Sequence, residues 1–380
     1  MTYGRARLWL GVTGVGSVVV IASIALALQL PQRLLESKRG LESTEFLQLA
    51  AVIGLFLLWL APMDFLGGYL LPRKFKKSDI SFSDWLGTYL KAAFFQAILF
   101  VFFGSTIVLL SQAYGTSIGL ISIGLLMTGC FLVRNRLLLN RRVKSASSQA
   151  KLIDAVGLIQ SWQIFVPRTV VVEHNDIGFT GGVIGLGKRA KIVIPEAWLS
   201  FCTEELATAI ARRALAVNTG SYTRGLALAF VWNLAGFSLC WLLTGADLAS
   251  VAGLVTAMCA FTLWSFLGLL VLPTVSRNAS LTIDQELARL GLPVELISTT
   301  ASTMDHLQDD EPQRPRFIET IFHPVPSVKG RNRSEPVTGL AAWNVARTTL
   351  FLSWACLGFL SRSVHCNVGR PELWTMLPTD

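Results

Sequence analysis

Not one charged side chain interrupts the stretch Leu8–Leu30. About 20 apolar residues in a helix cross a ~30 Å hydrocarbon core, and inside lipid a helix satisfies every backbone N–H and C=O without outside help. That stretch commits the chain to a bilayer. Phe46–Met63, Ala92–Ser111, Ser117–Val133, Gly225–Thr244 and Leu248–Val275 repeat the pattern. The last two are separated only by Gly245, Ala246 and Asp247, the mark of a tight transmembrane hairpin. A seventh candidate, Ala341–Leu360, carries Arg347 in its first two turns, where a guanidinium can snorkel to the interface. The predicted fold class is an α-helical integral membrane protein of about seven transmembrane helices with a small cytoplasmic α+β domain.

Composition excludes the alternatives. Hydrophobic residues make up 52% and charged residues 15%, against roughly 25% charged in soluble domains, and mean hydropathy is +0.53. A soluble globule, a disordered chain and a collagen are all ruled out. The six cysteines stand singly with no Cys-x-x-Cys pair, so neither a zinc ribbon nor a disulfide framework is indicated. The net charge of +9 reads as loops facing anionic headgroups, with no nucleic-acid partner.

Arg5 and Arg7 ahead of the first run, with Ala25-Leu26-Ala27 near its end, resemble a secretory signal. The apolar run exceeds the roughly 7–15 residues of a cleaved signal, so it is read as a retained span. Basic loops orient the rest. Pro72-Arg73-Lys74-Phe75-Lys76-Lys77 and the run Arg134–Lys151, with Arg136, Arg141, Arg142 and Lys144, alternate with Gln112–Thr116 and Gly245–Asp247, which have no Lys or Arg. By the positive-inside rule the basic loops are cytoplasmic. In loop 31–45, on the outer side, Arg33, Lys38 and Arg39 are offset by Glu36, Glu42 and Glu45. The N-terminus and the regions 134–224 and 276–340 are then cytoplasmic, and the C-terminus, with His365, lies outside. This pattern, without a retrieval signal, points to a bacterial inner membrane. Asp64, Lys91 and Arg347 fall close to span ends, where interfacial placement suffices. A carrier or channel would instead line a polar cavity with residues such as Asp64, Gln96 and Asn233.

The organisation expected is a membrane region 1–133, a first polar part 134–224, a hairpin 225–275, a second polar part 276–340, and a final span with an outer tail, 341–380. Within 134–224, Leu152, Ile153, Val156, Ile159 and Trp162 are spaced for an amphipathic helix over Ser148–Gln163. Thr169–Glu173 and Lys191–Ile194 are β-branched runs that read as strands, with the Gly178–Gly182 turn between them. A helix over 203–218 follows, with Thr203 as its cap and Glu204 and Glu205 in its first turn, where the helix dipole favours negative charge.

This order of elements resembles the HtpX and CAAX-prenyl-protease group of membrane zinc metallopeptidases, of gluzincin type. The segment "TEELATAIARRALA" is similar to that family's E-E-L-x-A-V-L-A-H-E-L-G-H helix. Ser276-Arg277-Asn278-Ala279-Ser280-Leu281-Thr282-Ile283-Asp284 resembles its S-R-x-x-E-x-x-A-D segment, and Phe322-His323-Pro324 with Arg331 resembles its T-H-P…R segment. The resemblance covers about 150–335 and places a membrane hairpin between the metal helix and the third-ligand helix. It implies zinc held by two histidines and a glutamate, with a second glutamate as general base.

None of those four positions keeps its residue. The resemblance sets Arg212 and Ala216 where the histidines belong, Arg213 at the base and Ser280 at the third ligand. A guanidinium has no lone pair to give a cation, and His174, His306, His323 and His365 include no pair at helical ligand spacing. No zinc or other cofactor is expected. Asp284, at the family's supporting aspartate, is expected to form a buried ion pair with Arg212 or Arg213 in the metal's place. His323 and Arg331 are further remnants of the site. Lys191, Ile192, Val193 and Ile194 are expected to be an edge strand that binds an extended segment by strand addition.

The resemblance thus implies a zinc-less pseudopeptidase acting as a binding, adaptor or regulatory protein, with the bilayer and another membrane protein or peptide as partners. Two other functions compete. One is an active metalloendopeptidase using unusual ligands drawn from His174, His306, His323 and Glu204 or Glu205. The other is a seven-span carrier or channel.

Overall fold

The computed structural model describes residues 1–35, 43–140, 146–174, 176, 178–308, 311, 313–331 and 337–374. The charges expected to matter at Glu36, Lys38, Arg39, Glu42, Arg141, Arg142 and Lys144 lie outside the described residues. Among the described residues six helices are long and apolar enough to cross a membrane, which makes this an α-helical membrane protein. They are α1 (Tyr3–Ala27), α2 (Ser43–Phe65), α3 (Phe82–Tyr114), α4 (Thr116–Asn140), α7 (Ser221–Thr244) and α8 (Val251–Arg289). A π-helical turn, Leu66–Leu70, prolongs α2.

Local chemistry sets their ends. The Ser81 hydroxyl accepts from the Asp84 N–H at 3.2 Å at the start of α3, and Ser250 does the same for Gly253 at 3.1 Å at the start of α8. These bonds satisfy N–H groups that have no partner within the helix. Gly115 at φ +87° stops α3 and turns the chain straight into α4. Helix α8 does not stop at the membrane boundary. It continues through Pro273 and carries Ser276, Arg277, Ser280 and Asp284 on the same rod as the hairpin.

Beyond the spans lie α5 (Ala146–Ser161), β1 (Thr169–Val172), β2 (Gly182–Ile184), β3 (Lys191–Pro195), α6 (Thr203–Asn218), α9 (Val294–Gln308) and α10 (Arg316–Phe322). The expected amphipathic helix is α5, which buries Ala155 and Ile159. The cap of α6 is Cys202, one residue before the expected Thr203, and its side chain makes no capping bond.

The sheet corrects one expectation. Its order is β1-β3-β2, with β1 parallel and β2 antiparallel to β3. Lys191–Ile194 is therefore the central strand, and its backbone is already paired on both sides. Val170 lies opposite Val193 on one flank and Val183 opposite Ile192 on the other. The omitted element was β2, whose three residues are all buried. Ile192 and Ile194 share a core with α5, α6 and the end of α8. Val193 joins Phe179 and Leu373 in a smaller cluster on the opposite face.

The seventh span is the second correction. Residues 341–360 form no long helix. After Asn344 at φ +60°, α11 (Val345–Leu352) runs for eight residues and passes into a 3-10 turn, Ser353–Cys356. Leu357 at φ +54° then reverses the chain. Residues 348–364 are all buried, so this apolar segment is protein core and has no lipid-facing side. Buried Asn233 of α7 fastens it, donating to the Thr349 carbonyl at 3.1 Å.

The tail that follows returns to the sheet. Arg370 Nε donates to Asp176 Oδ2 at 2.7 Å, and the His365 ring lies 5.0 Å from that of His323. Asp176 and His323 belong to the polar parts expected inside, whereas His365 and the C-terminus were expected outside. The contacts bring Arg370 to Asp176 and His365 to His323, because the chain turns back within 341–360 and forms no seventh long helix.

Candidate functional site

Helix α6 is buried along its whole middle, from Leu206 to Ala216. Consecutive residues on a helix point about 100° apart, and Arg212 and Arg213 accordingly serve different neighbours. Arg212 faces α8, with its Nε 2.9 Å from Asp284 Oδ1. The other carboxylate oxygen of Asp284 is held by Arg331 Nη1. The three side chains are 3%, 10% and 5% exposed for Arg212, Asp284 and Arg331, so one anion is clamped between two cations away from water.

Arg213 turns toward the sheet. Its Nη2 donates to the Thr180 carbonyl at 2.7 Å and its Nη1 to the Ala209 carbonyl at 2.8 Å. Its guanidinium lies 4.5 Å over the ring of Trp198. Arg213 thus ties the glycine-rich turn before β2 to α6. Ala216 and Ser280, each one helical turn from Arg212 or Asp284, are buried.

A second set of contacts presents Arg331. Glu319, which the sequence analysis did not single out, accepts from the Ser327 N–H at 2.8 Å and from the Ser327 hydroxyl at 2.9 Å. The Ser327 carbonyl in turn accepts from the Arg331 N–H at 3.0 Å. Arg277 reaches from α8 to the carbonyls of Glu319 and His323, at 2.7 and 3.2 Å. The segment following α10 is therefore bound to α8 at both ends, and Arg331 is delivered to Asp284 by a built scaffold.

The donor set does not suit zinc. The implied ligand positions offer a guanidinium, a methyl group and a hydroxyl, and the nearby carboxylate is committed to two arginines. The residues proposed for an unusual metal site are engaged separately. His174 stacks on Phe179 at 4.0 Å, Glu205 accepts from Thr303 at 3.0 Å, and His323 lies against His365. Among the described residues no three His, Cys, Asp or Glu side chains converge as a ligand group.

The polar residues suggested for a carrier cavity are tied down as well. Arg362, fully buried, is held by Asp64 and donates to Gln96 Oε1 at 2.8 Å and to the Tyr89 hydroxyl at 3.1 Å. Its guanidinium lies 4.0 Å over the Trp374 ring, and the second Asp64 oxygen accepts from the Gly369 N–H at 2.7 Å. This closes the tail onto α2 and α3. Arg7 completes the anchorage, donating to the carbonyls of Gly67, His365 and Val368 at 2.7, 2.7 and 3.1 Å. At Gly68 an added Cβ would strike the Gly369 carbonyl, so only glycine lets the tail lie this close to the π-helical turn.

Asp176 marks the same junction outside the spans. Burial raises its pKa, but the Arg370 guanidinium and the Gly178 N–H outweigh that and hold it below the ordinary aspartate value. Compared with known proteins, the sequence matches no family model and no curated protein.

Proposed function

We propose that this chain is a membrane-embedded metallopeptidase homologue that has exchanged its metal for an ion cluster and works by binding. The reading treats α6 as the former metal helix, α8 as the former third-ligand helix, and the protein as an adaptor or regulator of another membrane protein. The Arg212–Asp284–Arg331 cluster supports it: Arg212, at a position that the resemblance assigns to a zinc ligand, pairs with Asp284, at the supporting aspartate, which Arg331 also holds. Two guanidinium charges beside a dication would each be repelled by several kcal/mol at ~4 Å even at an effective dielectric near 20. The basic loop 72–77 and Arg134 with Arg136 place the sheet domain on the cytoplasmic side in this reading, in a bacterial inner membrane. An extended partner segment does not use β3, whose two flanks are taken.

The test is proteolysis. Purified protein in detergent is incubated with an unfolded membrane-protein substrate, with and without added zinc and with and without chelator. No cleavage above background is expected in any arm. Zinc-dependent cleavage that chelator abolishes, and that Arg212→Gln removes, would overturn the proposal.

A further inference from the structure

A trough of about 280 Å³ runs between α3 and α4 and opens sideways between the two helices. Phe95, Phe102, Leu125 and Val133 at its rim are 49–68% exposed, as expected of side chains facing lipid. Its lining is apolar except for the Cys130 thiol and one charge, Arg134.

Arg134 differs from the other deeply buried arginines of the membrane region. Arg362 is met by the Asp64 carboxylate, and Arg7 by three backbone carbonyls. Arg134 is 2% exposed and forms no ion pair among the described residues. It is sandwiched between the rings of Phe131 and Phe351, each 4.9 Å away. Its Nη2 donates to Asn135 Oδ1 at 3.2 Å, and the Tyr222 hydroxyl faces the guanidinium within hydrogen-bonding reach. Among the described residues Nε and Nη1 make no hydrogen bond of ordinary geometry. A buried guanidinium stays charged, and its fork of donors matches the oxygens of a phosphate.

Depth points the same way. Arg134 comes eighteen residues after the start of α4, about 27 Å along the helix at 1.5 Å per residue. That is close to the thickness of a ~30 Å hydrocarbon layer, so a bilayer beginning at the start of α4 would set the guanidinium at headgroup level, with the apolar trough leading from it toward mid-membrane. We propose that this is a binding site for an anionic phospholipid, one acyl chain lying in the α3–α4 trough and the phosphate on Arg134. Arg134 is the one charged side chain in the lining of the trough, and the phosphate would share its guanidinium with the Tyr222 hydroxyl. Gly129 leaves the floor clear: a Cβ there meets nothing within 4 Å.

Native mass spectrometry of the full-length protein, titrated with phosphatidylglycerol or phosphatidylcholine of the same acyl chains, tests it. The wild type is expected to bind phosphatidylglycerol several-fold more tightly, because both phosphates can meet the guanidinium but phosphatidylcholine brings a quaternary ammonium that Arg134 repels. Arg134→Gln is expected to abolish the preference and Arg134→Lys to keep part of it. Gly129→Leu, which fills the trough, is expected to weaken both lipids several-fold, about what a blocked chain site implies. Inorganic phosphate is not expected to compete, whereas single-chain lysophosphatidylglycerol is. Equal binding of the two lipids by the wild type would overturn the proposal, as would an unchanged preference in a folded Arg134→Gln. Displacement by phosphate alone would overturn its lipid form. If Arg134→Gln does not fold, Gly129→Leu decides, and unchanged lipid affinity there refutes the site.

Discussion

Arg212 Nε stands 2.9 Å from Asp284 Oδ1, joining α6 to α8. Arg331 takes the other oxygen, so the Asp284 carboxylate is shared by two guanidinium groups. Removing one member of a buried ion pair leaves its partner's charge uncompensated, at a cost of about 3–5 kcal/mol. Asp284→Asn strands two cations and is expected to destabilise by at least that much. Arg212→Met leaves the Arg331–Asp284 pair in place and is expected to cost clearly less. Unfolding titrations in mixed micelles measure both. Equal losses would mean that the cluster does not share charge in this way.

Six helices long enough to span, with Arg370 and His365 packed back on the polar part, predict that both termini lie on one side of the membrane. Reporter fusions or protease protection of tags at either end are expected to show the same sidedness. Opposite sides would restore a seventh crossing and contradict the contacts of Arg370 with Asp176 and of Arg7 with His365.

The Arg370–Asp176 pair is expected to respond to acid. The folded pKa of Asp176 is lowered from its ordinary value of 3.8, so its contribution is fully present above that value and is lost as pH falls through the lower folded value. The stability difference between wild type and Asp176→Asn is expected to be constant from neutral pH to about pH 5, and to shrink below about pH 4. Thermal melts across that range check it. A difference that changes near neutral pH would point to a group other than this carboxylate.

Restoring the ligands tests the frame itself. The combined substitution Arg212→His, Arg213→Glu, Ala216→His and Ser280→Glu rebuilds a two-histidine, one-glutamate set with a base. It is expected to take up zinc in a folded protein, whereas Arg212→His alone is not. A folded quadruple variant that binds no zinc would show that α6 and α8 do not hold those positions in ligand geometry.

Much of this architecture was legible because lipid demands long apolar runs, and the six spanning helices follow them closely. The segment 341–360 misled because a lipid-facing helix and a wholly buried segment have the same composition. What separates them is backbone reversal at Asn344 and Leu357, and no residue type announces positive φ at a leucine. Gly182-Val183-Ile184 is too short to show alternation, and a sequence in which β2 is invisible makes β3 read as an edge. The convergence of Arg212, Asp284 and Arg331 was anticipated as far as the resemblance ordered their elements. The choice of Arg212 over Arg213 depends on helix rotation against the sheet, which residue types alone do not set. Asp64 with Arg362, Asp176 with Arg370 and the isolated Arg134 were not foreseen, since separations of 298 and 194 residues leave no periodic trace.

The central proposal, that a carboxylate clamped by two guanidinium groups stands where the proposed metallopeptidase ancestry would put a metal, is tested most directly by elemental analysis of wild-type protein purified without chelator. The account predicts only trace, substoichiometric zinc, unchanged by added zinc followed by desalting. One tightly held zinc per chain, lost together with the folded state on chelation, would contradict it.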